Sequence, residues 1–323
     1  MRFATYEHRH QRRIAVVEED GTLHPVPGAR SLTELISRGD GLDALLRAGA
    51  ATLDVPPGPH VSEVRLLPPL EPPTMRDFVT FEEHVEGVRR SVDGVGGVPE
   101  AWYDAPTFYF TNPYAVIGAH DDVPVPPGSE VLDFELEVAA VIGREGRDLT
   151  PEQARDHIIG YTVFNDWSAR DLQSREMQVR LGPCKGKDTA ATLGPYLVTA
   201  DELQPYRDAD GFLRLPLTAS VNGEVVGKDL LSNMSWTFEE MVAYASRGTV
   251  VRPGDVLGSG TCGNGGCLAE LWGVRGEQSP PPLKPGDTVT LTVEGIGTVS
   301  NTVVAGKDPQ PLPTARRRTR ERP

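Results

Sequence analysis

The chain has 323 residues, of which 38% are hydrophobic, so it is long enough to bury a core in one large domain or two. Lys and Arg total 32 against 46 Asp and Glu, a formal net charge of −14, which argues against nucleic acid as a partner because phosphate backbones require a basic surface. The 34 glycines and 29 prolines favour short strands joined by tight turns over a helical bundle.

The cysteines and the apolar runs indicate where the protein works. Three cysteines, Cys184, Cys262 and Cys267, form no CxxC pair, which argues against a disulfide framework or a zinc knuckle. No run of about 18 apolar residues occurs, and the charged N-terminal segment is not followed by an apolar one. We therefore expect a cytoplasmic protein that is neither exported nor inserted in a membrane.

The N-terminal segment is predicted to form a small α+β domain over residues 1–70. Its pattern predicts strands at 3–6 and 13–18 and helices at 31–36 and 42–48. A proline-rich run over 67–74 resembles an interdomain connector, which places the boundary near residue 70. The main domain then covers 71–306. Residues 307–323 are rich in proline and basic residues, which predicts a disordered basic tail.

Three capping boxes predict helix starts in the main domain. They are Thr80 to Glu83, Thr150 to Gln153, and Thr237 to Glu240. The first predicts a short helix over roughly 81–90 with His84 in its first turn. The second is expected to end at Gly160, just before a strand over 161–165, and the third to end at Gly248.

A run of alternating residues over 131–142 places Asp133, Glu135 and Glu137 on one face of a predicted strand. An antiparallel strand with a solvated acidic side is the more common explanation of such a pattern. However, the run continues into residues 139–142, which are apolar on both faces and indicate a central strand. Glu135 and Glu137 also lie roughly 7 Å apart, so their repulsion calls for a positive partner. Carboxylates without His or Cys favour Mg²⁺ or Ca²⁺, with Mn²⁺ as a further candidate.

Three motifs in order resemble the fumarylacetoacetate hydrolase family over roughly residues 75–304. They are Asp77 with His84 seven residues later, Asp133-Phe-Glu-Leu-Glu137, and Asn165-Asp-Trp-Ser-Ala-Arg-Asp171. Asp77 and Asp166 taken singly would be ordinary acids beside a helix and a strand. The resemblance implies that one divalent cation is bound by Asp77, Glu135, Glu137 and Asp166.

The resemblance also implies a fold and a reaction. The expected fold is mainly β in an α+β arrangement, a mixed β-sandwich roll of the family's type with the small N-terminal domain attached, and the expected assembly is a homodimer. The expected function is Mg²⁺- or Ca²⁺-dependent hydrolysis of a C–C bond in a small 1,3-diketo acid, such as an acylpyruvate. A metal-dependent decarboxylase, isomerase or hydratase of a 2-oxo acid is the alternative, and a non-catalytic, cation-stabilised binding protein is a third reading.

The resemblance assigns roles to further side chains. His84 would be the general base, oriented by Glu270. Arg170, Gln173 and Lys187 would stabilise the developing oxyanion, with Lys185 as an alternative to Lys187. The expected substrate-binding residues are Tyr109, Met177, Thr261, and Arg89 or Arg90. Residues 87–104, which include several glycines, are expected to form a mobile cover over the substrate.

Overall fold

The computed structural model describes residues 1–320. The N-terminal elements are β1 (Arg2–His8), β2 (Gln11–Val17), β3 (Leu23–Pro25), α1 (Leu32–Arg38), α2 (Leu42–Leu53) and β4 (Arg65–Leu67). The strands and helices predicted for this segment are all present. The segment also contacts the main domain, because β1 pairs with a later strand at Arg2–Val198 and Phe3–Leu197. Phe3 also packs in one core with Val141 and Phe164. The boundary near residue 70 therefore stays a prediction.

The middle of the chain contributes most of the central sheet. Its elements are β5 (Met75–Phe78), α3 (Glu82–Val88), β6 (Phe108–Thr111), β7 (Val116–Ile117), β8 (Val123–Pro124), β9 (Leu132–Asp133), β10 (Leu136–Ile142), β11 (Gly146–Arg147), α4 (Pro151–Ala154), β12 (Ile158–Asp166), β13 (Ser168–Ala169), α5 (Arg170–Gln178) and β14 (Ala191–Thr199). The predicted strand over 131–142 is thus interrupted between β9 and β10. All the residues from 132 to 142 are buried, so its acidic side is not solvated.

The last third of the chain adds a second sheet and two packing helices. Its elements are β15 (Pro216–Val221), β16 (Glu224–Leu230), α6 (Phe238–Ser246), β17 (Val250–Val251), β18 (Val256–Gly258), α7 (Leu268–Arg275), β19 (Thr288–Val293) and β20 (Gly297–Val304).

Two mixed sheets form the body of the molecule. The main path of the larger sheet runs β3-β2-β1-β14-β12-β10-β18-β5-β6, and the smaller runs β16-β15-β19-β20-β8. The largest core cluster joins Val138 and Val163 of the first sheet to Leu291 of the second. The strand β10 lies between β12 and β18, which confirms its predicted central position. The predicted fold, mainly β with mixed sheets packed against each other, is confirmed.

The helix starts were predicted well at two positions of three. The capping boxes at Thr150 and Thr237 are formed. The one at Thr80 is not, because its hydroxyl donates a hydrogen bond of 2.6 Å to the Ser259 carbonyl and α3 begins after Phe81. Gly160 also does not end a helix: it lies inside β12, where a Cβ would come within 2.3 Å of the Val198 carbonyl oxygen.

The C-terminal segment over 307–320 has no helix or strand and is exposed. The last three residues of the predicted basic tail, 321–323, lie outside the described residues. Across the described chain, none of the helices is long and apolar enough to cross a membrane.

Candidate metal and catalytic site

Four carboxylates are brought together by neighbouring strands of the larger sheet. Asp77 lies in β5, directly opposite Gly258 of the parallel strand β18. Glu137 lies in β10, and Glu135 occupies the interruption before it. Asp166 ends β12, whose antiparallel pairing with β10 places Asn165 beside Leu136. All four carboxylates are at most 3% exposed.

The geometry of these carboxylates fits a hard divalent cation. Asp77, Glu135 and Glu137 each offer an oxygen within 4.8 Å of the others. The Oδ1 atoms of Asp77 and Asp166 are buried and have no hydrogen-bond partner among the described residues. A Cβ at position 258 would come within 2.5 Å of Asp77 Oδ1, so glycine leaves the space that this carboxylate occupies. Oxygen donors of this kind suit Mg²⁺, Ca²⁺ or Mn²⁺.

The protein supplies too little positive charge for all four acids to ionise. Burial, with Asp166 nearby, raises the pKa of Asp77 to about 7. Burial and the Asp77 carboxylate raise the pKa of Glu137 well above its ordinary value. Buried like charges resist ionisation unless a cation lies between them. A bound cation would therefore hold Asp77 and Glu137 in their charged forms.

Lys187 and Arg170 neutralise the other side of the cluster. Lys187 Nζ donates to Asp166 at 2.6 Å and to Glu135, and it is buried. Arg170 donates to Asp133 at 2.7 and 2.9 Å and to Glu135 at 2.8 Å. Although burial opposes ionisation, these two cations hold the pKa of Glu135 below its ordinary value. Lys185 is exposed and pairs with Asp188, so Lys187 is the lysine that reaches the site.

His84 lies in α3 beside this cluster. Its Nε2 is 3.9 Å from Glu135 Oε1, and its Nδ1 is 3.7 Å from the sulfur of Cys267. Burial lowers the pKa of His84 to about 4, so the imidazole is neutral at pH 7. A neutral imidazole beside a cation site is able to accept a proton.

The expected His84–Glu270 dyad is not formed. Among the described residues no hydrogen bond joins the two side chains, and Glu270 Oε1 accepts from the Gly265 N–H at 3.2 Å. Glu270 also packs against α3, where a Cβ on Gly87 would be 2.5 Å from Glu270 Cγ. Glu270 Oε2 is buried without a partner, and burial raises the pKa of Glu270 to about 7.

A cavity of about 390 Å³ is lined by His84 and by two of the four carboxylates, Asp77 and Glu135. The expected substrate-binding residues that line it are Tyr109, Arg89, Met177 and Thr261, and the expected oxyanion-stabilising residues Arg170, Gln173 and Lys187 line it as well. Arg90 is not among the lining residues, because it turns away to pair with Glu86 one helical turn earlier. Residues 87–104, which were expected to cover the substrate, contain a π-helix over Arg89–Asp93 and a 3-10 helix over Glu100–Tyr103. Trp102 of the 3-10 helix lines the cavity.

Three residues near the site were not assigned a role from the sequence. Asp133 accepts from the Leu268 and Ala269 N–H groups at the start of α7 as well as from Arg170. Asn165 Oδ1 accepts the Glu135 N–H at 2.8 Å, which fixes the chain at the strand interruption. Cys267 is the N-cap of α7. Asp133 and Asn165 belong to the motifs quoted above, so the sequence contained a signal that could have identified them.

The sequence and the fold were compared with known proteins. Residues 74–304 match the family model described as fumarylacetoacetate (FAA) hydrolase C-terminal. The chain is similar to oxaloacetate tautomerase YisK of Bacillus subtilis, with 31% identity over 87% of this chain and 88% of the relative. It is similar to the human mitochondrial oxaloacetate tautomerase FAHD2A, with 32% identity over 85% and 80%.

A solved structure matches over nearly the whole chain. The fumarylacetoacetate hydrolase EaFAH from Exiguobacterium antarcticum is 29% identical, covers 94% of this chain and 99% of its own, and has a TM-score of 0.73. The family match covers well over half of the sequence and includes all four carboxylates. The chain therefore belongs to the fumarylacetoacetate hydrolase family.

Proposed function

We propose that this enzyme of the fumarylacetoacetate hydrolase family is a divalent-metal-dependent tautomerase that interconverts the enol and keto forms of a small 2-oxo diacid such as oxaloacetate. The observation that carries the proposal is the buried, neutral His84 beside the carboxylate cluster, with no Glu270 partner to assist it in activating water. The names of the relatives in Bacillus subtilis and human support the same reaction. Hydrolysis, the reaction expected from the sequence, therefore becomes the second candidate.

The proposed cation ligands are Asp77, Glu135, Glu137 and Asp166, with Mg²⁺ or Mn²⁺ as the first ions to test. Bound there, a cation would polarise the 2-oxo group and stabilise the charge that develops on its oxygen. In the keto-to-enol direction His84 Nε2 would take a proton from the carbon next to the 2-oxo group and pass it to the 2-oxo oxygen, which completes the enol, and the reverse reaction would move the proton back. Lys187 and Arg170 offset part of the carboxylate charge that the developing enolate would meet. Arg89, which lines the cavity, would pair with the far carboxylate of the substrate.

The test follows the enol form of oxaloacetate through the loss of its ultraviolet absorbance. We expect acceleration with Mg²⁺ or Mn²⁺ and none with EDTA. His84→Ala should lower kcat by about 10² to 10⁴, the usual contribution of a general base. The matched control is His120→Ala, since His120 is exposed. Wild-type activity in His84→Ala, or full activity in EDTA, would refute the assignment.

Lys187 has a matched control two residues away. Lys187→Met should lower activity because Glu135 and Asp166 lose their buried cation. Lys185→Met removes a lysine that contacts only Asp188 at the surface and should leave activity close to that of the wild type. Equal effects of the two substitutions would contradict the placement of Lys187 in the site.

Hydrolysis of an acylpyruvate is the second candidate because of the cavity's apolar wall. Val85, Val88 and Trp102 line a space that a four-carbon diacid fills only in part. The similarity to EaFAH supports this reading. Product analysis with an acylpyruvate separates the two candidates: two acids are released by hydrolysis, and the carbon skeleton stays intact in tautomerisation. A homodimer stays a prediction that light scattering can test.

A further inference from the structure

A second set of metal-binding atoms lies next to the carboxylate cluster. His84, Glu135 and Cys267 each offer a ligand atom, and these atoms all lie within 4.8 Å of one another. The Cys267 sulfur is 3.7 Å from His84 Nδ1, and Glu135 Oε1 is 3.9 Å from His84 Nε2. All three side chains are buried.

The spacing of His84 and Cys267 is set by the backbone of two helices. His84 lies in the first half of α3, and Cys267 is the N-cap of α7. These helices touch through glycines: a Cβ on Gly273 would be 1.9 Å from the Gly87 carbonyl oxygen. Such contact leaves no room for the helices to move closer together, so the thiol and the imidazole are held at a defined separation.

The donor atoms of this set differ from those of the carboxylate cluster. One sulfur, one imidazole nitrogen and one carboxylate oxygen suit a borderline-soft cation, whereas four carboxylates suit a hard one. Zinc binds sulfur at about 2.3 Å and nitrogen at about 2.0–2.1 Å, which at a tetrahedral angle separates the two ligands by roughly 3.6 Å. The observed 3.7 Å between Cys267 Sγ and His84 Nδ1 is close to this separation.

We propose that His84, Cys267 and Glu135 form an inhibitory binding site for Zn²⁺. Zinc binding forms an S–Zn bond while the Cys267 thiol releases its proton to solvent, and no group is oxidised or reduced. Zinc on Nδ1 leaves the imidazole hydrogen on Nε2, so His84 can no longer accept a proton from substrate, and Glu135 exchanges its contacts with Arg170 and Lys187 for the zinc. Zinc therefore inhibits where Mg²⁺ or Mn²⁺ activates. Only this effect on activity rests on the proposed function; the binding site itself does not.

Cobalt tests the binding site without any need for activity. A cysteine thiolate bound to Co²⁺ gives a charge-transfer band in the near ultraviolet. We expect this band when one equivalent of Co²⁺ is added to the metal-free full chain. It should persist in Cys184→Ser and Cys262→Ser, which remove the other two free cysteines, and disappear in Cys267→Ser. Absence of the band in the wild type, or its persistence in Cys267→Ser, overturns the proposal.

The effect on activity is measured by titrating Zn²⁺ against a fixed excess of Mg²⁺. Loss of the thiolate should raise the Zn²⁺ concentration for half-inhibition by about tenfold or more in Cys267→Ser, and leave it unchanged in Cys184→Ser. Equal inhibition of the wild type and Cys267→Ser overturns the inhibitory role. Cys267→Ala serves as a second variant if the serine variant does not fold. A chain that shows the cobalt band but no tautomerase activity would refute the proposed function alone.

Discussion

The buried ion pair between Asp133 and Arg170 provides the sharpest prediction about stability. The Asp133 carboxylate is fully buried and accepts hydrogen bonds from Arg170 and from the Leu268 and Ala269 N–H groups. Asp133→Asn keeps the size of the side chain but removes its charge. The amide group also brings N–H donors to a position where the Arg170, Leu268 and Ala269 N–H groups already donate. Removing one partner of a buried pair costs about 3 to 5 kcal/mol of unfolding free energy.

Thermal unfolding of the metal-free chain measures this loss. Taking roughly 2 °C for each kcal/mol in a chain of this size, we expect the Tm of Asp133→Asn to fall by roughly 6 to 10 °C. Asp171→Asn is the matched control, because half-buried Asp171 accepts from Ser129 Oγ at 2.7 Å and from the Glu130 N–H at 2.8 Å. Asp171→Asn should lower the unfolding free energy by about 1 kcal/mol. If the Tm falls by the same amount in both variants, Asp133 does not anchor the start of α7.

Three further predictions concern the cation, the helix contact and Glu270. At a hundredfold excess over Kd, Mg²⁺ should stabilise the wild type by about 2.7 kcal/mol and Glu137→Gln hardly at all, as chemical denaturation would show. Gly87→Ala should lower the unfolding free energy by about 1 to 3 kcal/mol because its Cβ would meet Glu270. Gly96→Ala, whose Cβ would be near only the Arg90 side chain, should lower it less, and melting curves compare the two variants. Burial raises the pKa of Glu270 from 4.5 to about 7, so between these pH values the folded state binds more protons than the unfolded state. Stability should therefore fall as the pH rises from 4.5 to 7, and it should fall less in Glu270→Gln.

The sequence predicted the central strand and the cation site because both depend on a local pattern. Alternation over 131–142 and the apolar end of that run were enough to predict a central strand with Glu135 and Glu137 on one face. Asp77 and Asp166 required the family resemblance, because the pairing of β5 with β18 and of β12 with β10 joins residues that are far apart in sequence. The assignment of these four residues to a cation remains a prediction.

Long-range contacts explain the features that the sequence did not predict. Thr80 has the sequence of a capping residue, but its hydroxyl donates to the Ser259 carbonyl and α3 has no side-chain cap. Residues 1–70 have an α+β pattern of their own, and β1 pairs with β2 and β4 inside this segment, but β1 also pairs with β14 of the main domain. The Glu270 side chain turns to the Gly265 N–H in a loop whose path no local pattern indicates. For Thr80 and β1 the partner is distant in sequence, whereas Gly265 is only five residues from Glu270.

The position of β5 has a consequence for how the site is assembled during folding. Asp77 lies on a strand whose neighbours in the sheet are β6 and β18, so β18 alone connects it to Glu137 and Asp166. About 180 residues separate the paired segments 75–77 and 256–258, which makes this a late, non-local contact. A chain emerging from the ribosome therefore contains all four proposed ligand residues well before β18, the strand that holds Asp77 beside the others, is made. We therefore expect a divalent cation to stabilise the finished enzyme and not to nucleate its folding at this site.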